Sequence, residues 1–174
     1  VNLNDNSPVI DAGPILTTNE NTKGITQIFA SDPDDSNYPG ALNSLTYSIS
    51  GTDSSYFEID SFKNGELSFI NNPDYEEQSE YFITITVSDS LNETSKEFQI
   101  NLINLNDNLP EITSSDTFTI NENETLIGIV SASDPDGDDL TIFDFQIKQT
   151  NDITINSSSG VLSFINAPNF ESQS

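Results

Sequence analysis

The segment Asn106-Asp107-Asn108-Leu109-Pro110 repeats the segment Asn4-Asp5-Asn6-Ser7-Pro8 at a distance of 102 positions. Two further motifs recur at the same distance: Asn19-Glu20-Asn21 at 121–123, and Ser31-Asp32-Pro33-Asp34 at 133–136. Several motifs that share one spacing are typical of tandem structural repeats. The sequence therefore predicts two copies of one structural unit.

The second copy is shorter than the first. Residues 65–79 match residues 160–174 with ten identities, but here the distance is 95 positions, so seven residues are missing from the second copy before Gly160. We expect the missing residues to correspond to a loop at 36–43, where Tyr38-Pro39-Gly40 is typical of a turn.

Short segments of alternating polarity predict the fold class. Apolar positions alternate with mostly polar ones from Tyr81 to Ser88, which is the period of a half-buried strand. Further strands are predicted, between turns rich in Gly, Asn, Asp and Ser, at 26–30, 45–49, 56–59, 66–69 and 98–102. About seven short strands per copy indicate an all-β chain of tandem antiparallel Greek-key sandwiches, the second one truncated.

The repeat also predicts domain boundaries. We expect residues 1–8 to be a linker from a preceding repeat, 9–103 the first repeat, 104–110 a linker, and 111–174 a second repeat that lacks its last two strands. Side chains on the inner face of the sheet would then be partly uncovered, among them Ile153, Ile155, Leu162 and Phe164. Since the chain begins with Val1, we expect it to be a segment of a longer protein.

Composition limits the chemistry that is available. Four basic and 29 acidic residues give a net charge of −25, which excludes nucleic acid and anionic lipid as electrostatic partners and favours cations. The chain has neither Cys nor His, so thiolate and imidazole metal ligands and the usual nucleophile pairs are excluded. Oxygen atoms are therefore the remaining candidate ligands for a metal ion. No apolar run is long enough to span a membrane, so we expect no direct membrane contact by this segment.

Taken together, these motifs resemble tandem cadherin repeats, and the resemblance covers almost the whole chain. It rests on the linker 104–110, Asn19-Glu20-Asn21, Asp74-Tyr75-Glu76, Val87-Ser88-Asp89 and the two Asp-Pro-Asp motifs. The units contain no Cys and no Arg, and with the segment 160–168 they look most like the cadherin-like domains of large bacterial surface proteins. The resemblance implies an extracellular or cell-surface location, in a parent protein that is anchored to the membrane.

The resemblance also implies calcium ligands at named positions. One group lies at the junction of the two copies: Glu20, Asp74, Glu76, Asn104, the Leu105 carbonyl, Asn106, Asp107, Asn108, Asp134 and Asp136. A second group is half of a junction with a preceding repeat: Asn2, Asn4, Asp5, Asn6, Asp32, Asp34 and Asp89. Glu122 and Glu171 are half of a junction with a following repeat. About three Ca²⁺ ions are implied at a complete junction, and Ca²⁺ prefers such carboxylate, amide and carbonyl oxygens.

Several positions depart from the family pattern. Asn104 replaces a usual Asp, Tyr75 replaces a common Arg, and Asn169 replaces the Asp of the second Asp-Tyr-Glu motif. The counterpart of Asp89 in the second copy would lie beyond Ser174. Each loss of a carboxylate is expected to weaken calcium binding at its junction.

The function predicted from these observations is mechanical. Ca²⁺ would hold neighbouring repeats of the chain in one orientation, and the stiffened segment would act as a spacer or adhesion module of a larger cell-surface protein. The partner would be another cell-surface protein or a glycan.

Other functions fit the sequence less well. A calcium-dependent carbohydrate-binding module is the alternative, with Tyr38 and Tyr56 as candidate sugar contacts. A glycosidase could work with two carboxylates, but catalytic pairs occur once in a cleft, whereas these acids recur with the repeat. An EF-hand at Asp134 fails because position six is not Gly and position twelve is Phe145.

Overall fold

A computed structural model describes residues 4–34, 45–61, 65–137, 143–148 and 151–172. It divides into two compact units, residues 1–105 and 106–174, which are called unit 1 and unit 2 below. In the part of the chain that is described, regular structure consists of strands and short 3-10 turns, among them Ser54–Tyr56 and Phe170–Ser172.

The described residues of unit 1 form nine strand segments. They are β1 (Val9–Ile10), β2 (Ile15–Asn19), β3 (Gly24–Gln27), β4 (Ala30–Ser31), β5 (Thr46–Ser50), β6 (Phe57–Ile59), β7 (Glu66–Phe69), β8 (Glu80–Ser88) and β9 (Glu93–Ile103). Because β1 with β2 and β3 with β4 are interrupted strands, the segments amount to the seven strands that the sequence predicts. One sheet has the order β2-β9-β8-β5 and the other β3-β7-β6, while β1 pairs with β4.

The core of unit 1 lies between these two sheets. The longest strands, β8 and β9, pair antiparallel from Glu80↔Asn101 to Ser88↔Glu93. Tyr81, Ile83, Ile85 and Val87 of β8 are buried, as the alternation predicts, while Phe82 between them is half exposed. They pack with Phe57, Leu67 and Phe69 of the opposite sheet. The sequence thus fixes which face of β8 points inward.

Strand β2 pairs in parallel with β9, from Ile15↔Gln99 to Asn19↔Ile103. Alternation in the sequence did not reveal β1 or β2, and it placed the start of β9 five residues late, at Phe98. These segments owe their structure to pairing, β1 with β4, β2 with β9 and β9 with β8, rather than to a pattern of their own. The predicted turn at Tyr38–Gly40 lies outside the described residues.

Unit 2 has five described strands: β10 (Glu111–Ile112), β11 (Leu126–Ile129), β12 (Ala132–Ser133), β13 (Ile153–Ile155) and β14 (Val161–Phe164). Strand β10 pairs with β12, and the other three form a sheet in the order β11-β14-β13. Its inward-facing residues Ile153, Ile155, Leu162 and Phe164 are only half-buried.

Candidate metal-binding sites

Asp34, at one end of unit 1, binds the N-terminal segment of the chain. The backbone amides of Asp5 and Asn6 donate to Asp34 Oδ2 at 3.1 and 2.9 Å, and Asn6 Nδ2 donates to Asp34 Oδ1 at 2.7 Å. The Asp34 amide in turn donates to Asp32 Oδ1 at 2.8 Å. Both aspartates are buried, so a turn of the form Asp-Pro-Asp places two carboxylates below the segment 4–6.

Asp89 completes this end of unit 1. It ends β8, it is 2% exposed, and its Oδ1 accepts the backbone amides of Leu91 and Asn92 at 2.8 and 2.6 Å. The terminal atoms of the Asn4 amide lie 2.9 Å from Asp89 Oδ2 and 3.3 Å from Asp34 Oδ2, distances at which the amide nitrogen donates to both. Asn92 Nδ2 donates to the Asn6 carbonyl at 3.0 Å, a contact that sequence reasoning missed. Asp32, Asp34, Asp89 and the segment 4–6 are called the N-terminal acidic site.

Glu20 organises the other end of unit 1. Although charged, it is 1% exposed. Its Oε2 accepts the Tyr75 amide at 2.9 Å and its Oε1 accepts the Leu105 amide at 2.7 Å. Asp74 Oδ1 accepts the amides of Glu76 and Glu77, and a carboxylate oxygen of Glu76 lies within 4.8 Å of one of Glu20. Glu20, Asp74 and Glu76 are called the C-terminal acidic site of unit 1.

The two acidic sites of unit 1 are separated by the length of β9. Glu20 follows Asn19, which pairs with Ile103 at the end of β9, whereas Asp89 follows Ser88, which pairs with Glu93 at its start. Ten steps along a strand span roughly 34 Å. Unit 1 therefore carries separate acidic sites at its two ends, as the strand order predicts.

Unit 2 repeats the part of the N-terminal acidic site that Asp5, Asn6, Asp32 and Asp34 form in unit 1. The Asn108 amide donates to Asp136 Oδ2 at 2.9 Å, and Asn108 Nδ2 donates to Asp136 Oδ1 at 2.8 Å. The Asp136 amide donates to Asp134 Oδ1 at 3.0 Å, and Asn108 Nδ2 also contacts Asp107 Oδ1 at 3.1 Å. Each bond has its counterpart 102 residues earlier, so the motif determines this geometry independently of its surroundings.

Unit 2 also repeats the C-terminal site, with Asn169 in the place of Asp74 and with two further differences. Glu122 Oε2 accepts the Phe170 amide at 3.0 Å, and Asn169 Oδ1 accepts the Glu171 amide at 3.0 Å. Asn123 has a positive φ of 63°, as Asn21 has 59°. Glu122, however, is exposed where Glu20 is buried, and Glu20 has the additional bond from the Leu105 amide.

Hydrogen bonds keep three of these carboxyls ionised. The backbone and side-chain amides of Asn6 lower the pKa of Asp34 below its usual value. Burial alone would raise the pKa of Asp89, but the amides of Asn92 and Leu91 outweigh it and lower the pKa. Burial would also raise the pKa of Asp136, but the hydrogen bonds from the two amides of Asn108 outweigh this effect and lower the pKa. The N-terminal acidic site and its counterpart in unit 2 thus hold negative charge at neutral pH.

Not every predicted ligand can be placed. Asn2 lies outside the described residues. The Asn104 side-chain oxygen is buried, while Asn106 and Asp107 are exposed.

Tyr38, one of two candidate sugar contacts, is also outside the described residues. The other, Tyr56, is 46% exposed and makes an edge contact with Tyr81 at 5.3 Å between ring centroids.

The sequence matches known protein families over both units. The model of the cadherin domain matches residues 16–103, and a model of a bacterial Ig domain matches residues 106–174. Human protocadherin Fat 1 is 34% identical over 155 residues, which cover 79% of this chain and 3% of that protein. Mouse cadherin-related family member 2 is 38% identical over 82 residues, which cover 47% of this chain and 6% of that protein. The chain thus spans a few per cent of the length of these relatives.

Solved structures share the fold. Repeats EC22-24 of mouse cadherin-23 match 97% of this chain and 56% of that chain, with a TM-score of 0.76 and 20% identity. Repeats EC1-2 of human protocadherin-24 match 99% of this chain and 82% of that chain, with a TM-score of 0.74 and 20% identity. The predictions of an all-β tandem sandwich and of a cadherin-like chain are confirmed. The described part of the chain contains no helix long and apolar enough to cross a membrane.

Proposed function

The chain belongs to the cadherin family, whose members are extracellular adhesion modules rather than enzymes, and we propose from this that it is a calcium-binding repeat segment. Ca²⁺ stiffens the segment, which then acts as a spacer or adhesion module of a larger cell-surface protein. One observation carries the proposal: both units build the same site from buried, hydrogen-bonded carboxylates and an Asn-Asp-Asn segment.

The chemistry of these sites fits Ca²⁺. Asp32, Asp34 and Asp89 are buried together at one end of unit 1, and burial of several like charges is unfavourable unless a cation compensates them. Two of the three described lysines bind elsewhere, because Lys23 donates to the Ile70 carbonyl and Lys96 to the Ala12 carbonyl. The third, Lys148, is an exposed residue of unit 2. A hard divalent cation with flexible coordination accepts carboxylate, amide and carbonyl oxygens, whereas Mg²⁺ demands a tight octahedron.

The Asn4 amide supports the same conclusion. One of its two orientations donates hydrogen bonds to Asp89 and Asp34, while the other points the side-chain oxygen at both carboxylates. The second orientation is repulsive without a cation and favourable with one. We therefore infer that Asn4 turns its oxygen toward the ion when Ca²⁺ binds.

The proposed ligands come from both units and from the linker between them. Unit 1 supplies Glu20, Asp74, Glu76, Asn104 and the Leu105 carbonyl, and unit 2 supplies Asn106, Asp107, Asn108, Asp134 and Asp136. Asn4, Asp5, Asn6, Asp32, Asp34 and Asp89 serve a preceding repeat, and Glu122 and Glu171 a following one. About three ions per complete junction, as in the family, would satisfy the oxygen ligands that Ca²⁺ requires.

Hydrogen bonds within each unit already hold most of the linker. The Leu105 amide is held by Glu20, and Asn108 is held by Asp136. The Asp107 amide also bonds to Asp136. An ion that binds Asn106 and Asp107 would add further restraints to the same segment. The binding energy then appears as stability and stiffness. The proposed partners are neighbouring repeats of the same polypeptide and another cell-surface protein or glycan.

Thermal unfolding and small-angle scattering test the proposal, in calcium, in magnesium and in chelator at one ionic strength. We expect calcium to raise the melting temperature and to narrow the distribution of particle lengths, and magnesium to do neither to the same extent. Equal effects of calcium and magnesium would show diffuse screening by the −25 charge and would contradict a specific site.

A further inference from the structure

Unit 1 has a pocket of about 480 Å³ that the proposed function does not use. One wall is the 3-10 turn Ser54–Tyr56, and another is the loop 71–77 that follows β7. The Ile70 amide donates to the Tyr56 carbonyl at 2.9 Å, so a backbone hydrogen bond joins the two walls. Ligand pockets typically have volumes of about 300 to 1,000 Å³. The pocket is called the Tyr56 pocket, and its lining includes Tyr56, Phe69, Asn71, Asp74, Glu77 and Tyr81.

Aromatic rings form the inner part of the Tyr56 pocket. The Tyr81 ring makes edge contacts with Tyr56 at 5.3 Å and with Phe69 at 5.1 Å between ring centroids. Phe69 and Tyr81 are buried, whereas Tyr56 is 46% exposed. The ring surface that a ligand can reach in the pocket therefore belongs mainly to Tyr56.

The polar part of the Tyr56 pocket is acidic. Asp74 and Glu77 line it, and both are exposed. Asp74 Oδ1 accepts two backbone amides of its own loop at 2.9 and 3.1 Å, which fixes this carboxylate. Asp53 is held nearby, because its Oδ2 accepts the amide of Phe82, the residue after Tyr81, at 2.7 Å. Since no described lysine lines the pocket, its net charge is negative.

The Tyr81 hydroxyl is a second, independent sign of a ligand. Tyr81 is 3% exposed, and buried tyrosine hydroxyls usually have a hydrogen-bond partner. The other buried tyrosine, Tyr47, has one in the Ala30 backbone, whereas no group among the described residues bonds to the Tyr81 hydroxyl. Burial raises the pKa of Tyr81, and nearby charged groups, Glu77 among them, raise it further. The hydroxyl therefore lies at the acidic part of the pocket.

Unit 2 does not carry the groups that give the pocket its chemistry. Asn169 replaces Asp74, Ser172 replaces Glu77, and Asp152 replaces Tyr56. The first two correspondences follow from the distance of 95 positions between the copies. The third follows from strand register, because β6 pairs with β7 as β13 pairs with β14. The pocket is therefore a property of unit 1 and not of the repeated motif.

We propose that the Tyr56 pocket binds the guanidinium group of an arginine side chain on a partner polypeptide. A planar guanidinium stacks on an exposed ring such as Tyr56 and donates to a carboxylate such as Glu77. The Tyr81 hydroxyl accepts another of its N–H groups. This chain contains no Arg, so the partner is a different protein and not a second copy. The net charge of −25 attracts a basic partner from a distance.

This inference goes beyond the proposed function and does not rest on it. The pocket shares Asp74 with the C-terminal acidic site, but Tyr56, Glu77 and Tyr81 are not proposed calcium ligands. If Ca²⁺ neutralises Asp74, Glu77 still supplies a negative charge. We therefore expect arginine to bind both in calcium and in chelator.

Titration of the full 174-residue chain with short peptides, followed by NMR at one ionic strength, tests the proposal. The peptides are acetyl-Gly-Arg-Gly-amide and its lysine and citrulline versions, since citrulline has the shape of arginine without the charge. We expect the arginine peptide to shift resonances of Tyr56 and Glu77 saturably and to leave unit 2 unchanged. The lysine peptide should bind about threefold more weakly and the citrulline peptide about tenfold or more. Equal affinity for arginine and lysine would contradict the proposal, because diffuse charge attracts both alike.

Free arginine distinguishes a polypeptide partner from a small-molecule ligand. Both sources offer the same guanidinium, but the α-carboxylate of free arginine is repelled by Asp74 and Glu77. We therefore expect free arginine to bind more weakly than the peptide. Tighter binding of free arginine would assign the pocket to a small molecule and overturn the proposed partner.

The chain offers a matched pair of charge variants. Glu77→Gln removes a charge from the pocket, whereas Glu93→Gln removes the same charge from an exposed position at the start of β9, at the other end of unit 1. We expect Glu77→Gln to weaken binding of the arginine peptide about fivefold or more and Glu93→Gln to change it less than about twofold. Tyr56→Leu, at an exposed position, should weaken it about threefold. Equal losses in Glu77→Gln and Glu93→Gln would overturn the proposal.

Tyr81→Phe tests the buried hydroxyl. Because no described group bonds to this hydroxyl, its removal should not lower the melting temperature, but it should weaken binding of the arginine peptide about threefold or more. A lower melting temperature with unchanged binding would show that the hydroxyl serves the fold and not a ligand. Binding that disappears in calcium, and that Glu76→Gln weakens as much as Glu77→Gln, would place the arginine in the C-terminal acidic site and overturn the proposal.

Discussion

Asn6 binds Asp34 with both of its amide groups, the backbone at 2.9 Å and the side chain at 2.7 Å. Asn108 binds Asp136 in the same way, at 2.9 and 2.8 Å. In both units this pair fixes the linker segment against the turn Asp-Pro-Asp and leaves one carboxylate both buried and ionised. Less conformational entropy is lost when an ion binds to a rigid, preformed set of oxygen atoms than when it binds to a mobile set.

Asp136→Asn tests this pair in unit 2. The substitution keeps the shape of the side chain but removes one negative charge, so calcium affinity should fall about tenfold or more because affinity follows the charge of the ligand set. Asp116→Asn is the matched control, since Asp116 is exposed and has no motif position. Calorimetric titration of both variants gives the comparison, and an equal loss in the two would mean that the acids act only as diffuse charge.

Asn92→Ala tests the contact that the sequence did not reveal. The variant loses the hydrogen bond from Asn92 Nδ2 to the Asn6 carbonyl and the side-chain contact of Asn92 with Asp89, but it keeps the backbone bond to Asp89. We expect a loss of about 1 kcal/mol, concentrated in the segment 4–8. Hydrogen exchange of the Asn6 amide should accelerate while exchange in β8 stays unchanged, and uniform acceleration would contradict this role.

The sequence predicted those features that depend on local pattern. Alternation placed β8 and its buried face, and the repeated Asp-Pro-Asp motif predicted the pair of carboxylates that each unit holds at equivalent positions. Features that depend on distant contacts were not predictable in this way. Asn92 and Asn6 lie 86 positions apart. The first half of β9, Glu93 to Glu97, contains only charged and hydroxyl residues, so pairing with β8 determines it. The predicted ligand set stays a prediction until calcium binding is measured. The predicted domain boundaries also stay predictions.

Paired leucines test the difference between the two cores. Leu67 is fully buried in unit 1 and Leu162 is half-buried in unit 2. Leu67→Ala should destabilise unit 1 by about 2 to 5 kcal/mol. Leu162→Ala should cost about half as much or less, because the substitution removes less buried apolar surface and leaves no closed cavity. Urea unfolding followed by methyl resonances of each unit separates the two. A cost at Leu162 as large as at Leu67 would show that unit 2 has a closed core.

Two buried tyrosines predict how unit 1 responds to alkaline pH. Burial raises the pKa of Tyr81, and burial also raises the pKa of Tyr47 against a hydrogen bond involving Ala30. Because the folded state retains these protons longer, their contribution to stability is complete below the unfolded pKa of about 10 and is lost as pH rises through the folded pKa. Tyrosinate absorbance should therefore show a late fraction that appears together with unfolding. Tyr47→Phe should reduce this fraction, and an unchanged late fraction in Tyr47→Phe would contradict the assignment.

Glu76→Gln should change stability in opposite directions with and without calcium. A carboxylate oxygen of Glu76 lies within 4.8 Å of one of the buried Glu20, so in chelator the substitution removes a repulsion and should stabilise unit 1 slightly, by up to about 1 kcal/mol for an exposed group. In calcium it removes a proposed ligand, so the calcium-induced rise in melting temperature should shrink. Glu77→Gln is the control. It removes the same charge from the neighbouring residue, which is exposed and has no position in the motif. If Glu76→Gln and Glu77→Gln behave alike in both conditions, Glu76 is surface charge and not a ligand.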